Sequence, residues 1–376
     1  MDPGVAFALV WAGFLAYLGV LAAAPRIGRR PVWAAIAIVV TAFAVAPVIL
    51  SHDVFSYVDY ARLGVLHGLD PYVHPPATVP ADPAFAEVDW TGATSAYGPL
   101  FTLATYPLAW LPVDATVAVL KALTAVAVLA LAAIVARLAT TRGIDPVRAA
   151  AFVALNPLVL VHVVGGAHND AFAILLATAG VAAVLAARPA RAGAAFAAAA
   201  LIKPPAAFAF PFILASPPMG RNVGSGWTYR PVGGGLRVIG GAAGTAVLVA
   251  IVAYPAFGLH WAEALGLAGE NQGRTSYMSI PILGSRLLGV DPTVTRAAAL
   301  SLYGALVVGL LAWTWRGGDW VRAAAWAGFG LLGATAWLLP WYLIWALPLT
   351  ALSRDRLLQF LVLGLTAYQL GARIPL

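Results

Sequence analysis

Long apolar runs alternate with short polar stretches along the whole chain. A helix that crosses a bilayer needs about 20 mostly apolar residues. The candidate spans are Val5–Ala24, Val32–Leu50, Ala115–Ala136, Ala149–Val164, Ala171–Ala187, Leu236–Phe257, Ala297–Trp315, Val321–Leu339, Trp341–Leu352 and Leu357–Leu370. The first run lacks a basic leader, so we expect a first helix rather than a signal peptide. The pattern predicts an all-α polytopic membrane protein with about 10–12 transmembrane helices.

Two apolar stretches are less regular. Pro99–Leu111 is short, which favours a re-entrant or surface helix. The run Ala192–Ala215 is interrupted by Lys203-Pro204-Pro205, and because proline removes helix donors we expect two half-helices there.

Composition supports a membrane protein. The 376 residues are 62% hydrophobic and 10% charged, with a mean hydropathy of +0.88, whereas soluble domains carry about 25% charged residues. Cysteine is absent, which excludes disulfides and thiolate catalysis. The isoelectric point near 9.9 comes from arginines in short loops. That distribution indicates membrane topology and no nucleic-acid partner.

Loop charge predicts the orientation. Suppose that the Arg26–Arg30 loop is cytoplasmic, that Pro99–Leu111 is a re-entrant or surface helix, and that the chain turns back at Lys203. Fifteen of the 22 basic residues then fall on the cytoplasmic side. All six histidines and every acid except Asp145, Asp319 and Asp355 then lie on or near the outer side. We therefore expect a multi-pass protein of the bacterial plasma membrane, with an active site on the extracytoplasmic face.

The first outer loop, residues 51–112, contains SHDVFSYVDYARLGVLHGLDPY and YGPLF. Its turn residues and short apolar pieces predict surface or re-entrant helices. In the first of these we expect Phe55, Val58, Tyr60 and Leu63 to face lipid and Asp53, Tyr57 and Arg62 to face inward.

Asp53 is the candidate catalytic residue. It follows a predicted span, where partial desolvation raises the proton affinity of a carboxylate. Such a group suits a general base that takes a proton from an alcohol. The alternative is that Asp53 only N-caps the surface helix.

A second polar cluster, His168-Asn169-Asp170, fills a predicted outer turn after Gly165-Gly166. Asp170 alone would suit a helix cap, but the neighbouring histidine and asparagine favour hydrogen bonds to sugar hydroxyls or phosphate. Metal binding is the weaker alternative, because the spacing matches no closed site.

Lys203 lies inside an apolar stretch, where a charge is costly and points to function. Its ammonium is predicted to hold a lipid phosphate, and the alternative is snorkelling to the interface. Lys121 has the same two interpretations, with snorkelling favoured.

The second outer loop, residues 258–296, is polar. Its candidates for carbohydrate or phosphate contact are Glu270, Asn271, Gln272, Arg274 and Tyr277. Arg274 suits bidentate phosphate binding. Near the end of the chain, LLPWYLIWALP places Trp341, Tyr342 and Trp345 together. An interfacial aromatic belt is the favoured interpretation, and a sugar-stacking platform is the alternative.

Taken in order, SHDVFSY with GLDPY, YGPLF, GGAHND, LIKPP and PWYLIWALP resemble the GT-C class of integral-membrane glycosyltransferases. In particular, they resemble the bacterial polyprenol-phosphate-mannose-dependent α-1,6-mannosyltransferases. The resemblance covers most of the chain and implies one transmembrane glycosyltransferase domain over residues 1–376. It also implies a GT-C fold with outer juxtamembrane helices, a polyprenyl-phosphate sugar donor, a glycan or glycolipid acceptor, and inversion. No cofactor or metal is expected.

The resemblance maps the base onto Asp53 and the outer-turn residues onto His168, Asn169 and Asp170. We expect Lys203 or Arg274, together with His168, to bind the phosphate, and Tyr57, Tyr72, Tyr97 and Asp170 to orient the sugars. The remaining predicted substrate-binding residues are His52, Arg62, Asp70, Tyr277, Trp341 and Tyr342. The alternatives to an enzyme are a polyprenyl-lipid transporter or flippase and an inactive envelope-assembly partner.

Overall fold

A computed structural model of the chain describes residues 3–48, 50–216, 234–263 and 274–373. The α-helices with defined bounds are α1 (Pro3–Ile27), α2 (Arg29–Val45), α3 (Asp53–Leu66), α4 (Pro99–Thr105), α5 (Val113–Thr141), α6 (Pro146–Ala154), α7 (Asp170–Leu185), α8 (Pro189–Ala200), α9 (Phe210–Ala215), α10 (Gly235–Phe257), α11 (Ile280–Leu288), α12 (Pro292–Trp315), α13 (Trp320–Ala334), α14 (Leu347–Leu352) and α15 (Arg356–Arg373). Short 3₁₀ helices occupy Pro76–Thr78, Phe85–Glu87, Tyr106–Leu108, Pro204–Ala207 and Pro340–Trp345, and a π-helix occupies Val159–Val164.

Within the described ranges, four helices are long and apolar enough to cross a membrane. They are Phe7–Ile27, Val113–Thr141, Gly235–Phe257 and Pro292–Trp315. They confirm the predicted class, an all-α polytopic membrane protein. Other runs among the 10–12 transmembrane helices that the sequence predicted form shorter or interrupted helices within the described ranges. The run predicted as Val32–Leu50, for example, forms the 17-residue helix α2.

The predicted span Ala149–Val164 shows why apolar runs break. Helix α6 ends at Ala154, and Pro157 prevents its continuation. The Asn156 side chain accepts a hydrogen bond from the Leu158 N–H at 3.0 Å and donates one to Thr366 Oγ1 at 3.1 Å. These bonds satisfy polar groups at the break.

Helix α5 lies at the centre of the packing, against α2, α6 and α7, and α8 lies between α7 and α10. The α8–α10 contact depends on glycine. A Cβ on Gly193 would lie 1.8 Å from the Val238 carbonyl oxygen, and a Cβ on Gly241 would lie 2.0 Å from the Ala190 carbonyl oxygen. Small residues allow the close backbone approach that helix pairs in membranes use.

Lys121 does not snorkel to an interface. It is buried on α5 and donates a hydrogen bond to the carbonyl oxygen of Ala46, the C-cap residue of α2. A lysine at a helix C-terminus satisfies an unpaired carbonyl and complements the helix dipole. The residue therefore joins two helices.

The predicted surface helix forms as α3, but its apolar side does not face lipid as expected. Val58, Tyr60 and Leu63 are buried. The reason is that the rest of the first outer loop covers the helix: the Tyr60 hydroxyl donates to the Ala93 carbonyl at 2.8 Å.

The predicted break at Lys203-Pro204-Pro205 is present, with α8 ending at Ala200 and a 3₁₀ turn following. The YGPLF motif pairs with this break. The Gly98 N–H donates to the Ile202 carbonyl at 2.9 Å and the Leu100 N–H to the Leu201 carbonyl at 3.1 Å. Two motifs about 100 residues apart in sequence thus meet, and their pairing fixes the chain on which Lys203 lies.

Candidate active site

A cavity of about 410 Å³ lies beside the N-terminus of α3, and we call it the Asp53 cavity. Six of the predicted site residues line it: Asp53, Tyr97, Lys203, Arg274, Trp341 and Tyr342. They come from both outer loops, from the Lys203 break and from the segment after α13. The fold therefore brings one carboxylate, two cations and several aromatic rings to a single opening.

Asp53 is the first residue of α3, and its side chain lines the cavity rather than capping the helix. The N-cap is His52, which makes no side-chain cap bond. The indole Nε1 of Trp90 donates to Asp53 Oδ1 at 3.3 Å. Burial raises the pKa of Asp53 to about 6, although Lys203 and the Trp90 hydrogen bond oppose this rise. The carboxylate is therefore mostly ionised at neutral pH and still basic enough to accept a proton.

His168 lies behind the cavity wall instead of lining it. Its ring is fully buried and stacks on Trp341 with a centroid distance of 3.8 Å. Its Nδ1 lies 3.6 Å from Asp53 Oδ2. Burial, followed by the charge of Lys203, holds the pKa of His168 well below its usual value, so the ring is neutral. This position argues against the predicted contact of His168 with a phosphate.

Asp170 and Lys203 form a buried ion pair. Lys203 Nζ donates to Asp170 Oδ2 at 2.6 Å, and Trp345 Nε1 donates to Asp170 Oδ1 at 2.6 Å. The Lys203 side chain is only 16% exposed, which contradicts the snorkelling alternative. Asp170 is the first residue of α7, after the N-cap residue Asn169, so the cap alternative does not apply. Both carboxylate oxygens of Asp170 accept hydrogen bonds from protein donors, so neither is free to bind a metal ion. This also argues against the metal-binding alternative.

The Trp341, Tyr342 and Trp345 segment is a wall of the site and does not form the favoured interfacial belt. Trp341 and Trp345 are buried. Trp345 stacks on Tyr342 at 4.2 Å, and Lys203 Nζ lies 4.9 Å from the centroid of the Tyr342 ring. The ammonium thus makes a cation–π contact with Tyr342, and both side chains line the cavity.

Asn169 and Tyr57 form a second layer behind Asp53. Both polar atoms of the Asn169 amide side chain are buried without a hydrogen-bond partner, and its backbone N–H donates to the Tyr57 hydroxyl at 3.5 Å. The Tyr57 ring meets the rings of Tyr97 and Phe101 edge-on at 4.7 Å and 4.9 Å. Tyr57 is buried and does not line the Asp53 cavity, so its side chain is not placed to touch a sugar directly.

Arg274 lies at the other side of the site, on two tryptophans that sequence reasoning missed. Its guanidinium carbon lies 4.9 Å from the centroid of the Trp90 ring and 5.5 Å from that of Trp337. Neither tryptophan belongs to a motif, and only their type and turn-rich surroundings could have signalled them. The neighbouring predicted residues Glu270, Asn271 and Gln272 lie outside the described residues.

Nine predicted substrate-binding residues do not line the Asp53 cavity: the buried Tyr57, His168, Asn169 and Asp170 described above, and His52, Arg62, Asp70, Tyr72 and Tyr277. Asp70 Oδ2 pairs with His260 Nδ1 at 2.7 Å, which ties the loop to the end of α10. The Tyr72 hydroxyl donates to the Tyr97 carbonyl oxygen at 2.8 Å. These two residues shape the first outer loop around the site.

Arg62 belongs to a separate cluster, the Asp59 cluster, formed by Asp59 and Arg62 on α3, the C-cap residue His67 and the loop residue Asp82. Arg62 Nε donates to Asp82 Oδ1 at 2.7 Å, and His67 Nε2 lies 2.8 Å from Asp82 Oδ2. The inward orientation predicted for Arg62 is therefore correct, but its partner is a protein carboxylate.

His52 and Tyr277 lie at the exposed surface. His52 Nδ1 is 3.8 Å from Asp89 Oδ1, with both side chains well exposed. The Tyr277 ring stacks under the guanidinium of Arg286 at 3.7 Å. Neither residue contacts the cavity in this structure.

Comparisons with known proteins agree with the motifs. Residues 4–217 match the family model described as alpha-(1->6)-mannopyranosyltransferase, N-terminal domain. The chain is 31% identical over 333 residues to alpha-(1->6)-mannopyranosyltransferase A of Mycobacterium tuberculosis. The aligned region covers 81% of this chain and 63% of that protein. It is 30% identical over 183 residues to the Corynebacterium glutamicum protein of the same name, which covers 47% of this chain and 37% of that protein.

The chain aligns with only part of the length of each relative. A probable alpha-(1->6)-mannopyranosyltransferase of Mycolicibacterium smegmatis is 34% identical over 143 residues, covering 36% of this chain and 25% of that protein. The chain thus spans less than two thirds of the length of each of these relatives. No solved structure matches it significantly.

Proposed function

The chain belongs to the alpha-(1->6)-mannopyranosyltransferase family, and on that premise we propose that it is an inverting mannosyltransferase. Its donor is a polyprenyl-phosphate mannose and its acceptor a glycan or lipid-linked glycan. The proposed reaction takes place at the outer face of the plasma membrane, and the distribution of loop arginines supports that side for the Asp53 cavity.

One observation carries the proposal: a carboxylate of raised pKa opens into a cavity that also contains two cations. Asp53, Lys203 and Arg274 line the same 410 Å³ space. Glycosyl transfer from a phosphate needs a base for the incoming alcohol and positive charge for the outgoing anion. The aromatic walls provide apolar surface for the faces of a sugar ring.

In the proposed reaction, the acceptor hydroxyl oxygen attacks the anomeric carbon from the side opposite the phosphate. The new C–O bond forms as the bond between the anomeric carbon and the phosphate oxygen breaks. The electron pair of the broken bond stays on the departing polyprenyl phosphate. Asp53 accepts the proton of the attacking hydroxyl, so that no charge accumulates on the new glycosidic oxygen.

Arg274, rather than Lys203, is the better phosphate ligand. The charge of Lys203 is already offset by Asp170 at 2.6 Å. Arg274 has no carboxylate partner within the described part of the chain, and a guanidinium can donate two parallel hydrogen bonds to a phosphate. Lys203 then contributes positive potential to the cavity from its fixed position.

The test uses purified protein in detergent with radiolabelled polyprenyl-phosphate mannose and short α-mannosides. We expect label in an extended mannoside with the anomeric configuration inverted relative to the donor. Arg274→Ala should raise the KM for the donor. Arg286→Ala, which removes an arginine stacked on Tyr277 outside the cavity, is the matched control and should leave that KM unchanged.

Two outcomes would favour the other candidates. Movement of the labelled lipid across vesicles without transfer would indicate a flippase. Absence of both transfer and lipid movement would indicate an inactive assembly partner, and either result would overturn the proposal.

A further inference from the structure

Trp90 contacts two functional groups of the Asp53 cavity with two different parts of its indole. It lies in the first outer loop, shortly after the 3₁₀ helix Phe85–Glu87. Its edge donates the Nε1 hydrogen bond to Asp53 Oδ1 at 3.3 Å. Its face lies 4.9 Å from the guanidinium carbon of Arg274. The indole is 38% exposed, so packing alone does not account for its position.

Trp337 shares only one of these contacts. It lies in the connection between α13 and the 3₁₀ helix Pro340–Trp345, and its ring is 5.5 Å from the guanidinium carbon of Arg274. The Trp90 and Trp337 rings are 6.3 Å apart and inclined at 57°. Two outer segments therefore hold one arginine by cation–π contact, but only Trp90 also reaches Asp53.

We propose that Trp90 is a positioning residue that joins the base to the phosphate-binding arginine, and that Trp337 positions the arginine alone. This inference rests on the proposed function of the cavity. Through its N–H, Trp90 fixes the carboxylate of Asp53 toward the cavity. Through its ring face, it holds the guanidinium of Arg274 where the leaving phosphate develops charge. One rigid side chain thus sets the distance between the carboxylate that accepts the proton and the guanidinium that stabilises the leaving phosphate.

The two contacts have different measurable consequences. The indole N–H stabilises the ionised form of Asp53 and lowers its pKa. Its loss should therefore raise that pKa and move the acid limb of kcat/KM to higher pH. The ring face acts on the arginine, and its loss should raise the KM for the donor. A phenylalanine keeps a ring face but lacks the N–H, so the two effects can be separated.

The variants follow from this difference. Trp90→Phe should shift the acid limb of kcat/KM for the acceptor upward with little change in donor KM. Trp337→Ala should raise donor KM by about two- to fivefold, the value of one exposed cation–π contact, without moving the acid limb. Trp90→Ala should do both. Trp110→Ala is the control, because that indole is 73% exposed and lies outside the cavity, and it should match the unsubstituted protein in both measurements.

The assay is transfer from labelled polyprenyl-phosphate mannose to a short α-mannoside between pH 4.5 and 8.5, with the unfolding midpoint of each variant measured in the same detergent. A shifted limb in Trp90→Phe and an unshifted limb with higher donor KM in Trp337→Ala support the proposal. An unmoved limb in Trp90→Phe, in a protein that otherwise transfers mannose, overturns the positioning role and leaves the proposed function standing. Absence of transfer by the unsubstituted protein overturns both. If Trp90→Phe fails to fold, an unchanged donor KM in Trp337→Ala overturns the arginine half independently.

Discussion

Two aspartates on helix α3, six positions apart, differ in what surrounds them. Asp53 lines an open cavity, accepts a hydrogen bond from Trp90 and lies near Lys203. Asp59 is buried, and neither of its carboxylate oxygens has a hydrogen-bond partner. Burial raises the pKa of both, to about 6 for Asp53 and about 7 for Asp59, where the charge of Asp82 adds to the effect.

The comparison shows that a raised pKa does not by itself identify a catalytic base. Both side chains bind protons more tightly than usual, yet only one can meet a substrate. In the Asp59 cluster, Asp59 and Asp82 are buried, and Arg62 and His67 are directed to Asp82. Access to a cavity, together with a neighbouring cation for the leaving group, distinguishes Asp53.

The largest expected effect comes from Asp53→Asn. The amide cannot accept the acceptor's proton, and general base catalysis contributes about 10²–10⁴-fold. We expect turnover to fall by that factor while equilibrium binding of the donor lipid is retained. Turnover within a factor of ten of the unsubstituted protein would remove Asp53 from the role of base.

A third acid, Asp170, extends the comparison, because its carboxylate is buried but fully partnered. Lys203→Met would remove its ion-pair partner and leave an uncompensated buried charge, which costs about 3–5 kcal/mol. We expect a large drop in the midpoint of thermal unfolding in detergent. Adding Asp170→Asn should restore part of that loss. An unchanged midpoint in Lys203→Met would show that the pair does not stabilise this fold.

The chain contact that places Lys203 is open to a steric test. A Cβ on Gly98 would lie 1.9 Å from the carbonyl oxygen of Leu201, so Gly98→Ala must displace the Lys203 break. Overpacking of this kind costs about 1–3 kcal/mol, and we expect a lower unfolding midpoint together with slower transfer. Gly364→Ala is the control, since nothing lies within 4 Å of a Cβ there. Equal behaviour of the two variants would contradict the proposed coupling.

The smallest effect belongs to Asp59→Asn. The side chain reaches no substrate, and the change removes a carboxylate whose ionised form lacks partners. We expect transfer at pH 7.5 to stay within about twofold, as for substitutions remote from a site. The unfolding midpoint at pH 8 should be unchanged or higher. Because the folded-state pKa of Asp59 is raised from 3.8 to about 7, the stability that the protonated carboxyl contributes is lost as pH rises through that interval and is absent at pH 8, whereas the amide does not ionise. A loss of transfer as large as that of Asp53→Asn would remove the distinction between the two acids.

Much of the architecture was predictable from local pattern. Apolar runs predicted the helical membrane class, and Lys203-Pro204-Pro205 predicted the break after α8 because proline lacks the helix donor. The break after α6 was not predictable in the same way. At this break the Asn156 side chain donates a hydrogen bond to Thr366, which lies 210 residues later in the sequence. The sequence around Asn156 gives no sign of that partner.

The sequence predicted those site residues whose charge is energetically costly in an apolar segment or unusual in an apolar protein. Asp53, Lys203 and Arg274 are charges in apolar or outer segments, and all three line the cavity. Trp90 was missed because it lies 37 residues after Asp53 in the sequence and no spacing pattern links the two residues. Arg62 was assigned to substrate because its partner, Asp82, lies in an irregular loop. In both cases the missing information is tertiary.

The most direct test of the central claim is the pH dependence of kcat/KM for the acceptor in the unsubstituted protein and in Asp59→Asn. If the carboxylate of Asp53 is the base, activity is present above its pKa and is lost as pH falls through about 6. The account predicts an acid limb near pH 6 in both proteins. Absence of that limb in the unsubstituted protein, or its disappearance in Asp59→Asn, would contradict the assignment.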